Sequence, residues 1–409
     1  MTPDLGQEFL PIEEALTGDF LPELFGEKEI DAKRRLLTSL PVKTSGLALP
    51  DPTREAADHW SASTACCSHL VDAMRGRQTF RPHTHAQVMA ACKVASKARR
   101  LAKAEDDRAV ALRPVPPFEE RAILRGEETG RWLTVLPTAV SGFLLSAQEF
   151  RDALHLRYDS TPPDFPSHCD GCGAKFSVRH ALQCKHGGNV IGRHDDVVDE
   201  KAILASFALP PNAVRDEPLI SSGRTASREE AKARDNAAQR RRAQAPPTAD
   251  DIPTKQRQDG QERGDLLVHG LWERGTAAIS DVKVVDTDAA SYRDKDPMKV
   301  LELAERGKKR KYLKSCLENR RHFTPFVVSA DGLLGREANT YLRRIAALLA
   351  VKWDRPYSQV CGFVKARMAI AIVRATSRTL RGSRVPFKRL AFKLPQFEDG
   401  AGLGLVEYN

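Results

Sequence analysis

The fold is decided by residues 264–285, which read GDLLVHGLWERGTAAISDVKVV. Two runs rich in Val, Leu and Ile, Asp265–Trp272 and Ala277–Val285, are separated by the turn residues Glu-Arg-Gly. Apolar runs bounded in this way predict the two strands of a β-hairpin. Because side chains alternate along a strand, Asp281 and Lys283 are expected on the same face of the second strand.

Helices and further strands surround this hairpin in the sequence. Each is indicated by helical spacing of apolar residues or by a short run of strand-forming residues. They are a helix Ile191–Phe207, a strand from about Asn212 to Ile220, a helix Met298–Asn319, a strand Phe323–Ser329, and helices Asn339–Trp353 and Ser358–Leu380. We therefore predict an α/β fold in which helical regions flank a small mixed sheet.

The N-terminal part, residues 1–160, is predicted to be mostly helical. Apolar residues repeat at helical intervals in Glu29–Leu40, Asp51–Met74 and His85–Lys103, and the last of these segments is basic on one side. No catalytic constellation is visible in this region.

Residues 221–263 have a different composition. Ile252 is the only large apolar residue, and Arg240–Arg242, Pro246–Pro247 and polar residues fill much of the rest. Burial of this small apolar surface cannot offset the conformational entropy that the segment would lose on folding. We therefore predict a disordered insertion. The three arginines are interpreted as part of a solvated linker, with phosphate contact or a nuclear signal as alternatives.

The composition favours an anionic partner. Lys plus Arg number 64 against 54 for Asp plus Glu, and the net charge of +10 suits a nucleic acid. The sequence shows no secretory signal and no run long enough to span a bilayer, so we expect a soluble, intracellular protein. Three of the eight cysteines lie in one short cluster, which in a reducing compartment indicates a metal site rather than a disulfide framework.

This cluster has the spacing Cys-x2-Cys-x7-His-x3-Cys, formed by Cys169, Cys172, His180 and Cys184. Zinc prefers a tetrahedral set of Cys and His, and four protein ligands leave no open position, so the predicted site is structural. His180 and Cys184 are four residues apart and share one face of a probable helix. His168 and His186 are nearby substitutes, and a redox pair or unliganded thiols are the alternatives.

The hairpin carries residues that suit metal-dependent cleavage of phosphodiesters. Such chemistry uses carboxylates to hold Mg²⁺ and a cation to steady the phosphate or help activate water. Asp265 and Asp281 are the candidate carboxylates, and Lys283 is the candidate cation. On the preceding helix we select Glu200 as a further acid, with Asp199 as its near rival.

The helix after the hairpin adds basic residues. Lys308 and Lys311 are neighbours on one helix face and are candidates to contact the scissile phosphate. A solvated basic helix or a nuclear signal is the alternative. The loop acids between the hairpin and this helix are interpreted as solvated; they are Asp286, Asp288, Asp294 and Asp296.

Taken together, these motifs resemble the C-terminal part of non-LTR retrotransposon proteins. The segments that carry the resemblance are CDGCGAKFSVRHALQCKHGG, RHDDVVDE, GDLLVHGLW, ISDVKVVDTDAASY, KKRKYL and FTPFVVSADGLLG, within about residues 130–385. These elements carry a restriction-like endonuclease behind a CCHC zinc knuckle. More weakly, LLTSLPVKTSGLALPDP at Leu36–Pro52 resembles the region that follows the palm of their reverse transcriptases, so residues 1–160 resemble a thumb or linker.

The resemblance implies roles for the candidate residues. In the family, the endonuclease nicks target DNA and the freed 3′ hydroxyl primes reverse transcription. Asp265 and Asp281 would bind the divalent metal, and Lys283 would act at the phosphate or the water. Lys311 and Tyr312 would match a Lys-Tyr pair of the family. The knuckle cysteines and histidine would be the zinc ligands.

Two features depart from the family pattern. No Tyr-x-Asp-Asp motif occurs, so we expect no polymerase activity from this chain alone. Gly264 stands where the family often has a proline. A decayed, non-catalytic remnant that only binds nucleic acid is the main alternative. A His-Asn-His-type nuclease using Cys169, Cys172 and His194 is a weaker one, because no suitable Asn and second His follow His194 closely.

The sequence thus predicts four regions. Residues 1–160 form a helical thumb or linker, 161–190 the CCHC zinc knuckle, 191–335 the restriction-like endonuclease with the insertion, and 336–409 a C-terminal helical region. The expected cofactors are structural Zn²⁺ and catalytic Mg²⁺. The expected partners are target DNA, element RNA and a separate reverse transcriptase segment, with no membrane, and the expected location is the nucleus.

Overall fold

The computed structural model describes residues 5–113, 115–221 and 262–384. These residues form two compact units. Unit 1 extends up to Leu133 and includes Leu154–Pro163, and unit 2 consists of Thr134–Ala153 and the residues from Asp164 onward. The division between the units falls within one helix, Ala147–Arg157 (α8).

Helices are the regular secondary structure of unit 1 in the residues described. Its helices are α1 Leu5–Glu8, α2 Leu10–Ala15, α3 Leu21–Phe25, α4 Ala32–Ser39, α5 Pro52–Met74, α6 Pro82–Leu112 and α7 Pro117–Thr129, with a π-helical turn at Leu16–Phe20 and 3₁₀ turns at Val42–Thr44 and Gly130–Leu133. The three predicted helices are present as α4, α5 and α6. Helix α6 starts earlier and ends later than predicted, and Pro82 occupies its first position, where proline is favoured.

Two sets of hydrogen bonds stabilise the turns of unit 1. The carboxylate of Asp51 accepts hydrogen bonds from the N–H groups of Thr53 and Arg54 and so caps α5. The buried Arg157 guanidinium donates to the carbonyls of Val42 and Gly46 at 3.0 and 3.1 Å. Arg157 therefore fixes the turn that follows α4.

Unit 2 combines helices and strands. After α8 its helices are α9 Val178–Gln183, α10 Asn189–Ala208, α11 Pro297–Glu318, α12 Arg336–Trp353 and α13 Tyr357–Arg381, with 3₁₀ turns at His186–Gly188, Pro211–Ala213 and Ala290–Tyr292. Its strands are β1 Val214–Asp216, β2 Leu219–Ser221, β3 Glu262–Arg263, β4 Leu266–His269, β5 Ala277–Val285 and β6 Arg321–Ser329.

Four strands form one mixed sheet in the order β1-β4-β5-β6. Strand β4 is antiparallel to both β1 and β5, whereas β5 and β6 run parallel along nine residue pairs, from Ala277 with Arg321 to Val285 with Ser329. The parallel pair requires a crossover, which α11 supplies. Strands β2 and β3 form a separate antiparallel pair.

Both faces of the sheet are covered. One face packs against α10, α12 and α13; buried side chains there include Val197, Leu204, Val268, Val282, Phe326, Tyr341, Ile345, Val364 and Met368. The other face packs against α11; buried side chains there include Leu267, Ile279, Tyr312, Cys316 and Phe323. Even-numbered residues of β5 therefore face α10, and odd-numbered residues, including Asp281, face α11.

The mixed helix-and-sheet architecture predicted from the sequence is confirmed. The hairpin pairs as predicted, with Leu266 opposite Ser280. The predicted strand Asn212–Ile220 is wrong as a single element. It breaks into β1 and β2, because Glu217 adopts a left-handed conformation (φ 45°) and Pro218 has no N–H to donate.

The predicted insertion, residues 221–263, lies outside the described residues except for Ser221 and Glu262–Arg263 at its ends. The part of the last predicted region that follows Arg384 also lies outside them. In the described ranges, no helix is both long and apolar enough to cross a lipid bilayer.

Gly264 provides a test of the packing beside β5. Its N–H donates to the carbonyl of Pro218 at 3.0 Å, a bond that a proline could not make. A Cβ at this position would lie 2.5 Å from Cγ2 of Ile279. We expect Gly264→Ala to lower the free energy of unfolding by about 1–3 kcal/mol in urea titrations.

The control is Gly307→Ala in α11, where a Cβ would meet no atom within 4 Å. This change should raise the free energy of unfolding by up to about 1 kcal/mol, because alanine favours the helix. Equal stability of the two variants would contradict the packing described.

Candidate active site and metal cluster

Asp265 and Asp281 come together where β4 separates from β5. The paired residues end at Leu266 and Ser280, and beyond that point β5 pairs only with β6 among the described strands. The N–H of Asp265 donates to Ser280 O at 3.0 Å, and its Oδ2 accepts the N–H of Val282 at 2.5 Å. The two carboxylates therefore lie close together at the end of the hairpin pairing.

Asp281 is buried, with 5% of its surface exposed, and its Oδ2 forms an ion pair with Nζ of Lys308 on α11. Burial raises the pKa of Asp281, and the attraction of Lys308 does not overcome this effect. Burial alone would lower the pKa of Lys308, but the charge of Asp281 outweighs it and raises that pKa. Of the basic residues on α11, Lys308 thus contacts the carboxylate pair.

His194 on α10 contacts the other carboxylate. Its Nε2 lies 3.1 Å from Oδ2 of Asp265, and its Nδ1 lies 3.3 Å from Oδ1 of Asp195. Burial would lower the pKa of His194, but these two carboxylates raise it to about 10. Burial likewise opposes ionisation of Asp265, yet His194 and the Val282 N–H hold its pKa below the usual range.

Lys201 lies on the opposite face of β5 and is fully buried. Its Nζ contacts the Ser280 hydroxyl and lies 4.5 and 5.2 Å from the ring centroids of Tyr341 and Phe326. Burial lowers the pKa of Lys201 to about 7, although the charges of Asp265 and Asp281 act in the opposite direction. Sequence reasoning missed this residue.

His194 and Lys201 share one face of α10, because residues seven apart nearly coincide on a helix. The sequence shows the spacing of these two residues, but it does not show which face of α10 packs against the sheet. Glu200, one position earlier, points about 100° away. Its carboxylate accepts two hydrogen bonds from Arg367 of α13, at 2.8 and 3.0 Å.

The structure therefore does not bring Glu200 to the carboxylate pair. Burial raises the pKa of Glu200 against the influence of Arg367. The rival acid, Asp199, is exposed at the surface, and partial desolvation together with the nearby carboxylates of Asp196, Asp195 and Asp216 raises its pKa. Neither acid has a described contact with Asp265 or Asp281.

The remaining predicted residues have different surroundings. Lys283 is half-buried on the same face of β5 as Asp281, as its spacing predicted. Tyr312 is buried and packs against Phe323, with ring centroids 5.4 Å apart. Lys311 is exposed, and its Nζ lies 4.6 Å from the centre of the Tyr312 ring. Tyr312 thus belongs to the core, and Lys311 lies at the surface of α11.

The carboxylate pair suits a small, hard cation. Mg²⁺ takes oxygen ligands and often binds through one or two carboxylates while keeping several waters. Asp265 and Asp281 could supply those carboxylates. No third carboxylate, His or Cys within the described ranges completes a closely spaced ligand group around them.

The predicted knuckle residues form one cluster. The ligand atoms of Cys169, Cys172, His180 and Cys184 all lie within 4.8 Å of one another. The sulfur atoms of Cys169 and Cys184 are 3.9 Å apart, and Nε2 of His180 lies 3.4 Å from the sulfur of Cys172. This Cys3His cluster could hold a metal ion such as zinc.

Local structure explains how the four residues converge. The Ser177 hydroxyl accepts the N–H of His180 and caps α9, so His180 lies on the first turn and Cys184 follows the last. The carbonyl of Cys169 accepts the N–H of Gly173, whose φ of 72° ends the turn that contains Cys172. His168 and His186 are not members of the cluster.

The expectation that loop acids are merely solvated is wrong for three of them. The carboxylate of Asp296 accepts the N–H of Lys299 at 3.0 Å and caps α11, and the other two form ion pairs. Asp286 and Asp288 follow β5 and both pair with Arg179 of α9, at 3.2 and 3.1 Å. Gln183 also donates to Asp286 at 2.8 Å. These contacts attach the helix that carries His180 to the end of the strand that carries Asp281.

No protein-family model matches this chain, and no curated protein matches its sequence. The roles of the carboxylate pair and of the Cys3His cluster are therefore inferred from their chemistry.

Lys201 yields a prediction about pH. Between about pH 7 and the unfolded value of 10.5, the unfolded chain keeps a proton that folded Lys201 releases. The burial penalty is therefore fully present below about pH 7 and disappears as the pH rises toward 10.5. We expect Lys201→Met to raise the free energy of unfolding near neutral pH by about 1–4 kcal/mol, measured by urea titration.

This stabilisation should shrink as the pH of the urea titrations is raised. Lys314→Met is the control, because the Lys314 side chain is 87% exposed, and it should change stability by less than about 0.5 kcal/mol at every pH. A Lys201→Met variant that is less stable than the wild type at neutral pH would contradict the assigned burial penalty.

Proposed function

We propose that this protein is a divalent-metal-dependent DNA endonuclease of retroelement origin with a restriction-endonuclease-like core. The observation that supports this most is the pairing of the half-buried Asp265 with the buried Asp281 at the end of the β4–β5 pairing, with Lys308 against Asp281. The proposed reaction nicks target DNA and leaves a 3′ hydroxyl that primes reverse transcription. The proposed partners also include element RNA and a separate reverse transcriptase segment, in the nucleus.

Each residue of the site has a proposed role. When bound, Mg²⁺ would stabilise negative charge on the phosphate and the leaving oxygen. Asp265 and Asp281 would hold it. Lys308, and Lys283 on the same face of the strand, would orient the phosphate through their positive charge. His194 would fix the Asp265 carboxylate, which already accepts the Val282 N–H.

Lys311 and Tyr312 have more distant roles in this proposal. Tyr312 would position Lys308, because the two residues are four apart on α11 and lie on the same helix face. Lys311 would contact DNA away from the cleaved bond, as its exposure permits. Glu200 would stabilise the packing of α10 on α13 through Arg367 rather than act on the substrate.

A nicking assay tests the proposed active site. In the presence of Mg²⁺, we expect the wild type to nick supercoiled plasmid. The variants Asp281→Asn and Lys308→Met should each nick it more slowly than the wild type, by about a hundredfold or more. Asp294→Asn is the matched control, because Asp294 is an exposed loop acid, and it should retain full activity. Extension of the nicks by a DNA polymerase would report the 3′ hydroxyl. Undiminished nicking by Asp281→Asn would overturn the proposed site.

We propose that the Cys3His cluster binds zinc in a structural role. Its four ligands leave no position open for substrate. We expect the purified protein to contain about one equivalent of zinc by elemental analysis, and Cys172→Ser to lose it and to unfold at a lower temperature. Cys67→Ser, at an exposed position of α5, is the control and should keep the metal. Full zinc content in Cys172→Ser would contradict the assignment.

A second candidate function is non-catalytic nucleic-acid binding. The observation that favours it is the compensation of both carboxylates by protein groups, Asp281 by Lys308 and Asp265 by His194. In that case, the wild type would bind DNA without nicking it in Mg²⁺ or Mn²⁺. The nicking assay therefore separates the two functions.

A further inference from the structure

Residues 73–100 of unit 1 contain seven basic residues and no acidic one; the basic residues are Arg75, Arg77, Arg81, Lys93, Lys97, Arg99 and Arg100. The segment covers the last two residues of α5, the turn that follows it and the first part of α6. We call this segment the basic hairpin. The proposed nuclease site lies in unit 2 and uses none of these residues.

The two ends of the α5–α6 pair differ in how their charges are compensated. At the end nearest Asp51, Arg54 pairs with Asp107 at 2.7 Å, and Lys103 lies 3.5 Å from Glu55 and 3.6 Å from Asp58. At this end the positive charges are thus balanced within unit 1.

Most basic residues of the basic hairpin lack such compensation. Lys93, Lys97 and Arg100 are exposed, and none of them has an ion-pair partner in the part of the chain that the structure describes. Arg77 pairs with Asp72 at 3.2 Å, whereas Arg75 and Arg81 have no such partner there. Uncompensated like charges repel one another, so an external polyanion would stabilise this arrangement.

Three exposed cations of α6 are also aligned. Lys93, Lys97 and Arg100 are spaced by four and three residues, so they form one stripe along the helix. With a rise of about 1.5 Å per residue, the helix from Arg81 to Arg100 extends about 28 Å. Duplex DNA presents one phosphate charge per about 1.7 Å of axis, so several phosphates lie within this length.

We propose that the basic hairpin is a second DNA-binding surface, which contacts the phosphate backbone of duplex DNA independently of base sequence. The choice of DNA rests on the proposed function. The cations supply affinity and positioning, because phosphate contacts carry no sequence information.

The test uses the full-length chain and a fluorescein-labelled duplex without added divalent metal, with binding followed by anisotropy over a range of KCl concentrations. The variant Lys93→Gln/Lys97→Gln/Arg100→Gln should bind about tenfold more weakly or worse at low salt. Its log–log salt slope should be shallower by about 2 to 3, as expected for the loss of three phosphate contacts.

The matched control is Arg54→Gln/Lys103→Gln/Arg108→Gln, which removes the same charge at ion-paired positions of α5 and α6. It should bind nearly as the wild type does. The charge-reversed variant Lys93→Glu/Lys97→Glu/Arg100→Glu should bind still more weakly than the glutamine variant. Circular dichroism would verify that all variants keep their helices.

Three results would overturn the proposal: unchanged affinity and slope in the glutamine variant, an equal loss in the control, or a loss confined to a single-stranded RNA probe. The proposed nuclease is tested separately, because Asp281→Asn should abolish nicking and keep the duplex affinity. A wild type that does not nick, with a hairpin variant that binds poorly, would leave the second surface standing without the nuclease.

Discussion

The candidate site depends on one backbone N–H group, that of Val282, which donates to a side chain instead of a neighbouring strand. Strand β4 stops pairing with β5 at Ser280, so the N–H of Val282 has no strand partner on that side. A buried N–H requires an acceptor, and the Asp265 carboxylate supplies it at 2.5 Å. This bond fixes Asp265 beside Asp281 at the end of the hairpin. The active-site geometry is thus a consequence of where two strands part.

The need to compensate negative charge explains which side chains lie beside Asp265 and Asp281. Two carboxylates in a largely buried position are costly unless cations or hydrogen-bond donors balance them. Lys308 comes from α11 on one side of the sheet and His194 from α10, while Lys201 lies behind β5. A bound Mg²⁺ would take over part of this compensation. The same residues therefore suit both the stability of the unit and the proposed chemistry.

Much of unit 2 could be predicted from the sequence, because periodicity identifies elements and ligand spacing identifies the Cys3His cluster. The side chains that meet the carboxylates could not be predicted equally well. Lys201 reaches the sheet and Glu200 does not, because one residue turns a helix by about 100° and tertiary packing alone decides which face is inward. For the same reason Lys308 contacts Asp281, whereas Lys311 is at the surface. Asp286 and Asp288 were misjudged because their partner, Arg179, is distant in sequence.

The central claim is that Asp265 and Asp281 together hold a divalent cation. Electron paramagnetic resonance of Mn²⁺ titrated into the zinc-loaded protein tests it most directly, because free and bound Mn²⁺ give different signals. The account predicts Mn²⁺ binding in the wild type that Asp265→Asn and Asp281→Asn each abolish and that Asp294→Asn retains. Equal Mn²⁺ binding by the wild type and both site variants would contradict it.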